Sequence, residues 1–212
     1  MGQKHETMRM KAFAAALSAA AFFALPACGQ TQNVNSDSMM NINSKSLVVY
    51  FSRADENYAV GNITEGNTAI IGKMIAEQVG ADTFHIQPAT PYPAEYDPCT
   101  EIAKTEKESN ARPEIIGDVN VEAYDTIYIG YPIWWGDAPM PVYTFIEKHD
   151  WSGKTVIPFV THEGSGVAGS DRLIGAACKG ATIGKPFEIY GHVAQQQRDK
   201  AREAVIKFLN NK

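Results

Sequence analysis

The sequence predicts an α/β fold of three layers, in which helices cover both faces of a five-stranded parallel sheet. Apolar runs that suit buried strands alternate five times with helical patterns, and this alternation is typical of a doubly wound sheet. Loops marked by glycine and aromatic residues follow the first, third and fourth strands. Five strands suit the order 2-1-3-4-5, in which ligands bind beyond the carboxyl ends of those three strands.

The predicted strands are short runs rich in β-branched and aromatic residues. The first, around Val48 and Val49, is apolar throughout, as expected of a strand that is buried on both faces. The second alternates between apolar and polar residues and ends at Pro88. The five runs are residues 47–51, 82–86, 126–130, 155–160 and 186–190.

A helical pattern follows each predicted strand. Asp97 and Pro98 are typical of an N-cap and a first turn, and they start a polar helix that ends near residue 110. Ser170 is expected to cap a helix over residues 171–179. The apolar faces of the other three helices are Ile70, Ile71, Met74, Ile75 and Val79 in the first, Val142, Phe145 and Ile146 in the third, and Ala201, Ala204, Val205, Phe208 and Leu209 in the last.

The loop after the first strand combines the features of a phosphate-binding site. Ser52 follows the strand, and Gly66, Asn67 and Thr68 begin the first helix. The free N–H groups of a helix N-terminus and the helix dipole favour an anion there. Hydroxyl and amide side chains add donors, and glycine lets the backbone approach a ligand closely. A loop of this composition can also be a plain connection between a strand and a helix.

This loop resembles the FMN-phosphate loop of flavodoxins. It differs in length, because thirteen residues, 53–65, separate Ser52 from Gly66. Arg53 is a second difference, since the flavodoxin loop usually binds its phosphate without a cationic side chain. The resemblance implies the flavodoxin-like fold for the predicted sheet.

Two further loops carry the same resemblance. The sequence Pro-Ile-Trp-Trp-Gly after the third strand offers aromatic faces for a flat ring, and Thr-His-Glu-Gly-Ser-Gly after the fourth offers backbone groups for the ring edge. Residues 47–209 therefore resemble flavodoxin-like flavoproteins, and a bacterial subfamily of these more closely than the short electron carriers. The resemblance implies bound FMN, with the contact residues Ser52, Arg53, Gly66, Asn67, Thr68, Pro132, Ile133, Trp134, Trp135, Gly136, Thr161, His162, Glu163, Gly164, Ser165 and Gly166.

Other interpretations of these loops stay open. The two tryptophans could be core packing beneath a loop. His162 could be a surface residue or one that supports its neighbours. Beside a flavin edge it could instead donate a proton to the reduced ring or to a substrate carbonyl, which makes His162 the candidate catalytic residue.

The N-terminus has the features of a targeting segment. Arg9 and Lys11 precede an apolar run over residues 12–25, which is too short to span a membrane as a helix. The sequence Leu-Pro-Ala-Cys that follows resembles the lipobox of bacterial lipoproteins, which implies a signal peptide over residues 1–27 and a lipid on Cys28. An ordinary secretory signal is the alternative. Polar residues 28–45 then predict a disordered tether, and residues 46–212 the flavodoxin-like domain.

Charge and cysteine content exclude several classes of protein. The first 27 residues hold three of the 19 basic and one of the 24 acidic side chains, so the remainder carries a net charge of −7. This charge argues against nucleic-acid binding. The chain has no Cys-x-x-Cys or His/Cys cluster, so no metal site is expected. In the predicted topology Cys99 and Cys178 lie too far apart for a disulfide, so both are expected to be free thiols.

The sequence therefore favours an FMN-binding electron-transfer protein anchored to the bacterial cell envelope, on the periplasmic side or the cell surface. Its expected partners are a redox protein or a small electron acceptor, with membrane attachment through the lipid alone. An FMN-dependent NAD(P)H:quinone-type oxidoreductase is an alternative, so the sequence does not decide whether the protein is an enzyme. A cofactor-free lipoprotein that only binds partners is a third possibility.

Overall fold

The computed structural model describes residues 45–211. The predicted signal peptide, Cys28 and residues 28–44 of the predicted tether lie outside the described residues. The strands are β1 (Ser46–Phe51), β2 (Asp55–Asn57), β3 (Gly61–Ile63), β4 (Asp82–Pro88), β5 (Ile115–Ile116), β6 (Thr126–Pro132), β7 (Thr155–His162), β8 (Thr182–Ile183) and β9 (Phe187–Tyr190). The helices are α1 (Asn67–Val79), α2 (Tyr96–Glu108), α3 (Met140–Ile146), α4 (Ser170–Ala177), α5 (Gly191–Gln196) and α6 (Arg198–Leu209).

The central sheet confirms the predicted fold class. Its parallel strands run in the order β4-β1-β6-β7-β9, which is the order 2-1-3-4-5 of the five predicted strands. The short strand β5 adds an antiparallel edge beside β4. The fifth strand is divided, because β8 and β9 both pair with β7 and are separated by a segment that contains Pro186. Proline has no N–H to donate to a sheet, so this strand begins at Phe187 rather than at Pro186.

Two apolar clusters cover the two faces of the sheet. One contains Leu47 and Val49 of β1 and packs against α3 and the buried residues of α4. The other contains Val48 of β1 and packs against α1, α5 and α6. Alternate residues of β1 thus enter opposite clusters, as the period of a strand requires. Every residue from Leu47 to Phe51 is buried, as the continuous apolar run predicts.

Helix α2 departs from the expected arrangement. It begins at Tyr96 with Glu95 as N-cap, so Asp97 and Pro98 lie inside its first turn. Its buried residues, Cys99 and Ala103, belong to neither apolar cluster. Helix α2 nevertheless contacts α3, the helix that the predicted topology places beside it. Because α2 has few apolar residues, burial of its side chains contributes little free energy to hold the helix against the sheet.

Three local features also differ from the sequence prediction. Residues 53–65 contain the hairpin β2–β3, which was not predicted. Helix α4 begins at Ser170, and its N-cap is Gly169 at φ +79°. The Ser170 hydroxyl instead donates to the Val167 carbonyl, at 2.7 Å. Helix α5 was not predicted.

Both cysteines of the described chain are free and buried. Burial raises the pKa of Cys178 to about 12 and also raises that of Cys99, so neither thiol forms the reactive thiolate easily. We expect Cys99 and Cys178 to resist alkylation in the native protein. Both should be alkylated fully after denaturation without a reducing agent. A Cys99–Cys178 linked peptide in mass spectrometry would contradict this.

Candidate functional site

A cleft of about 410 Å³ lies at the carboxyl ends of β1, β6 and β7. Nine of the predicted contact residues line it: Arg53, Asn67, Pro132, Ile133, Trp134, Trp135, Thr161, His162 and Glu163. Six further residues of the lining were not predicted: Asn57, Tyr58, Tyr96, Cys99, Thr100 and Ala103. Seven predicted contacts are not part of the lining: Ser52, Gly66, Thr68, Gly136, Gly164, Ser165 and Gly166.

The start of α1 is packed tightly against the end of β1. The Ser52 hydroxyl accepts a hydrogen bond from the Ala69 N–H at 3.0 Å. Gly66 is the N-cap, and a Cβ atom there would lie 2.2 Å from Ser52 Oγ and 2.4 Å from the Arg53 carbonyl oxygen. Glycine is therefore required by the close approach of two backbone segments, since its φ of −68° suits any residue.

Unpaired polar groups remain at this helix start. Within residues 45–211, the backbone N–H groups of Asn67 and Thr68 meet no acceptor, as is normal for the first turn of a helix. The buried side-chain oxygen Oδ1 of Asn67 likewise has no hydrogen-bond partner. The Thr68 hydroxyl pairs at 2.7 Å with the hydroxyl of Thr161, and either of the two can be the donor. The helix amides, and the side chain of Asn67 through its Nδ2 donor, are thus the groups that could hold a phosphate, since the Oδ1 atom can only accept.

Arg53 lines the cleft but is committed to the protein backbone. Its guanidinium donates to the carbonyls of Glu56, Pro93 and Ala94, at 2.5, 2.5 and 2.6 Å. This clamp joins the hairpin β2–β3 to the proline-rich loop before α2. Its Nε atom is buried without a partner, so the Nε–H donor of Arg53 is unused.

The hairpin brings an aromatic side chain to the mouth of the cleft. Glu56 accepts a hydrogen bond from the Tyr96 N–H at 2.8 Å and so ties the hairpin to the first turn of α2. Tyr58 then lies beside Tyr96, with ring centroids 6.2 Å apart, and is 64% exposed. The inserted residues 53–65 therefore form a rim at the mouth of the cleft.

The two tryptophans occupy different environments. Trp134 packs edge-on against Phe51 and Tyr92, with centroids 5.3 and 5.2 Å away. Trp135 is half exposed and adopts φ +53° in the turn that joins Trp134 to Asp137. This conformation is costly for a bulky residue.

Contacts to α2 hold Trp135 in place. Its indole N–H donates to the Thr100 carbonyl at 3.0 Å, Lys104 lies over its ring, and Lys107 donates to its carbonyl. Trp135 therefore fastens α2 to the site instead of standing free over the cleft.

His162 ends β7 at the cleft and is 8% exposed. Burial lowers its pKa, so the ring is neutral at pH 7. Its Nδ1 accepts the Gly164 N–H at 3.0 Å, which leaves the proton on Nε2. Gly164 has φ +112°, and this turn carries residues 164–166 away from the lining. His162 can donate a hydrogen bond to a ligand.

Glu163 connects the cleft to α5. One carboxylate oxygen of Glu163 accepts a hydrogen bond from the backbone N–H of His192. The other is hydrogen-bonded to Nδ1 of the same histidine, and both distances are 2.7 Å. Gln195 donates to the Glu65 carbonyl at 2.5 Å, next to the start of α1. Helix α5 therefore supports two of the three predicted loops, those after β1 and β7. No local pattern identifies it, because its six residues span less than two turns.

The arrangement suits an anionic group joined to a planar ring. Unpaired amides at the start of α1 fit the anion, and the aromatic residues Trp134, Tyr96 and Tyr58 fit the ring. Within residues 45–211, no cluster of three potential metal-binding side chains is present. None of the described helices has the length and apolar character needed to cross a bilayer.

The sheet order and the cleft at its carboxyl edge define a flavodoxin-like α/β protein. The family model described as Flavodoxin matches residues 45–203, and the chain belongs to this family. No curated protein sequence matches it significantly.

Solved structures agree with this assignment. A provisionally assigned flavoprotein from Bacteroides uniformis is 32% identical, with a TM-score of 0.59 over 76% of this chain and 97% of that one. Another from Bacteroides eggerthii is 30% identical, with a TM-score of 0.57 over 75% and 98%. A flavoprotein from Lactobacillus acidophilus, in complex with FMN, shares the fold at 18% identity, with a TM-score of 0.55 over 74% and 97%.

Proposed function

We propose that this protein binds FMN in the cleft and transfers electrons between redox partners at the bacterial cell envelope. The main observation in favour of FMN is that two free backbone amides at the start of α1 adjoin an aromatic cleft. Membership of the flavodoxin family and the FMN complex of the Lactobacillus relative support the same cofactor. FMN, when bound, supplies reversible one- and two-electron chemistry.

Individual residues have distinct tasks in this proposal. The Asn67 and Thr68 amides and the Asn67 side chain hold the phosphate, while Ser52 keeps α1 in register by accepting the Ala69 N–H. Trp134 and Tyr96 exclude water from the ring. His162 offers its Nε2 proton to an acceptor on the ring edge.

We expect Asn67→Ala to weaken FMN much more than riboflavin, because only FMN carries the phosphate. Loss of one hydrogen bond to the anion should reduce FMN affinity about tenfold to hundredfold. Fluorescence quenching of both flavins by the apoprotein measures this. Thr68→Ala is the matched comparison, since its hydroxyl already binds Thr161, and should have the smaller effect. Equal weakening of both flavins would exclude the start of α1 as the phosphate site.

Electron transfer is favoured over a reductase activity by the aromatic walls. Tyr58, Tyr96 and Trp134 come from three separate elements around one cleft, which suits a flavin whose edge alone is accessible. Partners are then a redox protein or a small electron acceptor.

An NAD(P)H:quinone-type oxidoreductase is the second candidate, favoured by the neutral His162 in the lining. Stopped-flow mixing with NADH and NADPH separates the two. Fast, saturable reduction that is lost in His162→Ala would establish the reductase, whereas slow reduction that does not saturate would support the carrier. Absence of visible flavin absorbance after reconstitution would support the cofactor-free alternative instead.

Envelope anchoring rests on the lipobox-like sequence. It requires a lipid on Cys28, and membrane attachment through that lipid alone. We expect the protein to fractionate with membranes and Cys28→Ser to release it. Membrane association that persists in Cys28→Ser would contradict a lipid anchor.

A further inference from the structure

Two residues of the cleft lining each have a buried polar atom without a hydrogen-bond partner. These atoms are Nε of Arg53, which carries an N–H, and the side-chain oxygen Oδ1 of Asn67. The other such atom among residues 45–211, Nε2 of His149, lies 3.0 Å from a carboxylate oxygen of Asp118, so an acceptor already faces it. Because a buried polar atom without a partner is destabilising, the two atoms at the cleft point to a group that satisfies them.

The two atoms come from adjoining segments at the phosphate end of the cleft. A Cβ atom on Gly66 would lie 2.4 Å from the Arg53 carbonyl oxygen, so the segment that leads into Asn67 runs directly beside Arg53. On its other side Asn67 packs against Gly191, where a Cβ atom would lie 2.2 Å from Nδ2. The nitrogen end of this amide therefore faces α5, and Oδ1 is its other end.

A phosphate alone does not satisfy both atoms. Oδ1 of Asn67 can only accept, and a phosphate dianion has no proton to donate to it. The Nη1 and Nη2 atoms of Arg53 donate to three backbone carbonyls, which holds the guanidinium in place while Nε–H stays unused. A hydroxyl group suits this pair, because one hydroxyl can accept from an N–H and donate to a carbonyl oxygen at the same time.

We propose that Arg53 and Asn67 recognise a hydroxyl group of the ligand, so that the cleft selects a polyhydroxylated phosphate ester over a phosphate on a plain alkyl chain. This inference rests on the proposed FMN site and concerns the chain between its phosphate and its ring, since the ribityl chain of FMN carries hydroxyl groups there. Thr161, also in the lining, adds to this recognition. Its hydroxyl pair with Thr68 uses only one of two protons and so retains one O–H donor.

Two flavins that differ only in these hydroxyls test the proposal. One is FMN, and the other is a flavin phosphate in which a pentyl chain replaces the ribityl chain. Fluorescence quenching by the apoprotein gives the affinity for each, and the ratio of the two affinities cancels the contributions of the ring and the phosphate. We expect wild type to favour FMN about tenfold to hundredfold, because the hydroxyl bonds to one charged and one neutral group.

Arg53→Lys and Asn67→Leu each remove one of the two atoms. Lysine keeps the positive charge but has a methylene group at the position of Nε, and leucine keeps the approximate shape of Asn67 without its polar atoms. Each change should lower the preference for FMN at least about threefold, and the double variant should bind both flavins about equally. Trp134→Phe is the matched control, because it alters the wall beside the ring and should weaken both flavins alike. Thermal unfolding checks that each variant is folded.

A second readout needs neither a flavin nor a variant. In an NMR titration of the wild-type apoprotein, ribitol 5-phosphate should shift the Nε–H resonance of Arg53 and the backbone amides of Asn67 and Thr68. Pentyl phosphate should shift the two backbone amides but leave the Nε–H resonance unchanged, because it has no hydroxyl on its chain.

Each outcome decides the proposal. A wild-type preference below about threefold, or a preference that either variant leaves unchanged, would overturn hydroxyl recognition while leaving FMN binding intact. Failure of wild type to bind either flavin phosphate would refute the proposed function. In that case an Arg53 Nε–H shift with ribitol 5-phosphate and not with pentyl phosphate would still support the inference. Equal shifts with both esters, or no shift with either, would overturn it.

Discussion

Gly66→Ala is expected to reduce FMN affinity more than a hundredfold. The new Cβ would lie 2.2 Å from Ser52 Oγ and 2.4 Å from the Arg53 carbonyl oxygen, and the latter is backbone that cannot rotate away. The end of β1 and the start of α1 must then separate, which moves the free amides of α1 relative to the cleft. Overpacking of this kind also costs about 1–3 kcal/mol of folding free energy. Titration of the apoprotein with FMN measures the first effect and urea denaturation the second.

Gly80→Ala is the matched control. Gly80 ends α1 at φ +66°, and a Cβ there has no heavy atom within 4 Å. Alanine at this position should cost about 1 kcal/mol because of its left-handed conformation, without changing FMN affinity. Wild-type FMN affinity in Gly66→Ala, or an equal loss of affinity in both variants, would refute the role assigned to Gly66.

Gly130→Ala is expected to cause the largest loss of stability. Gly130 on β6 pairs with Phe159 on β7, and a Cβ would lie 2.0–2.6 Å from three atoms of the Phe159 ring. That ring is fully buried in the apolar cluster on the α1 side of the sheet, so it has nowhere to move. We expect a cost of about 3 kcal/mol or more, which is a large part of the stability of an ordinary domain. Denaturant unfolding with circular dichroism measures it.

A second substitution tests the steric explanation. Phe159→Leu alone should destabilise by leaving a cavity. Combined with Gly130→Ala, it should cost less than the sum of the single changes, because the smaller side chain makes room for the new methyl group. Simple additivity of the two free-energy changes would show that the ring of Phe159 is not the obstacle.

Much of the fold was predictable because its signals are local. The run from Leu47 to Phe51 is apolar at each position, which a strand buried on both faces requires. Repeated alternation of strands and helices then restricts the topology to a few right-handed solutions. The position of the cleft follows from that topology, since β1, β6 and β7 end at the same edge.

The parts of the site that the sequence did not predict depend on contacts between residues that are distant in the chain. Helix α5 has only six residues and starts at a glycine, so its sequence does not predict it. The hydrogen bonds of His192 to Glu163 and of Gln195 to the Glu65 carbonyl explain why it forms there. The position of Trp135 likewise depends on the hydrogen bond from its indole N–H to the carbonyl of Thr100, which lies 35 residues earlier in the chain.

The sequence by itself determined the sheet order, the helix that presents free amides and the glycine-bearing loops. These features arise from burial patterns and backbone rules within single segments. Only the tertiary structure decided that Arg53 clamps carbonyls of a second loop, that α2 borders the cleft and that His192 holds Glu163. The physical reason is that a hydrogen bond between distant segments stabilises one arrangement only after the sheet has brought its ends together, and no local pattern records that proximity.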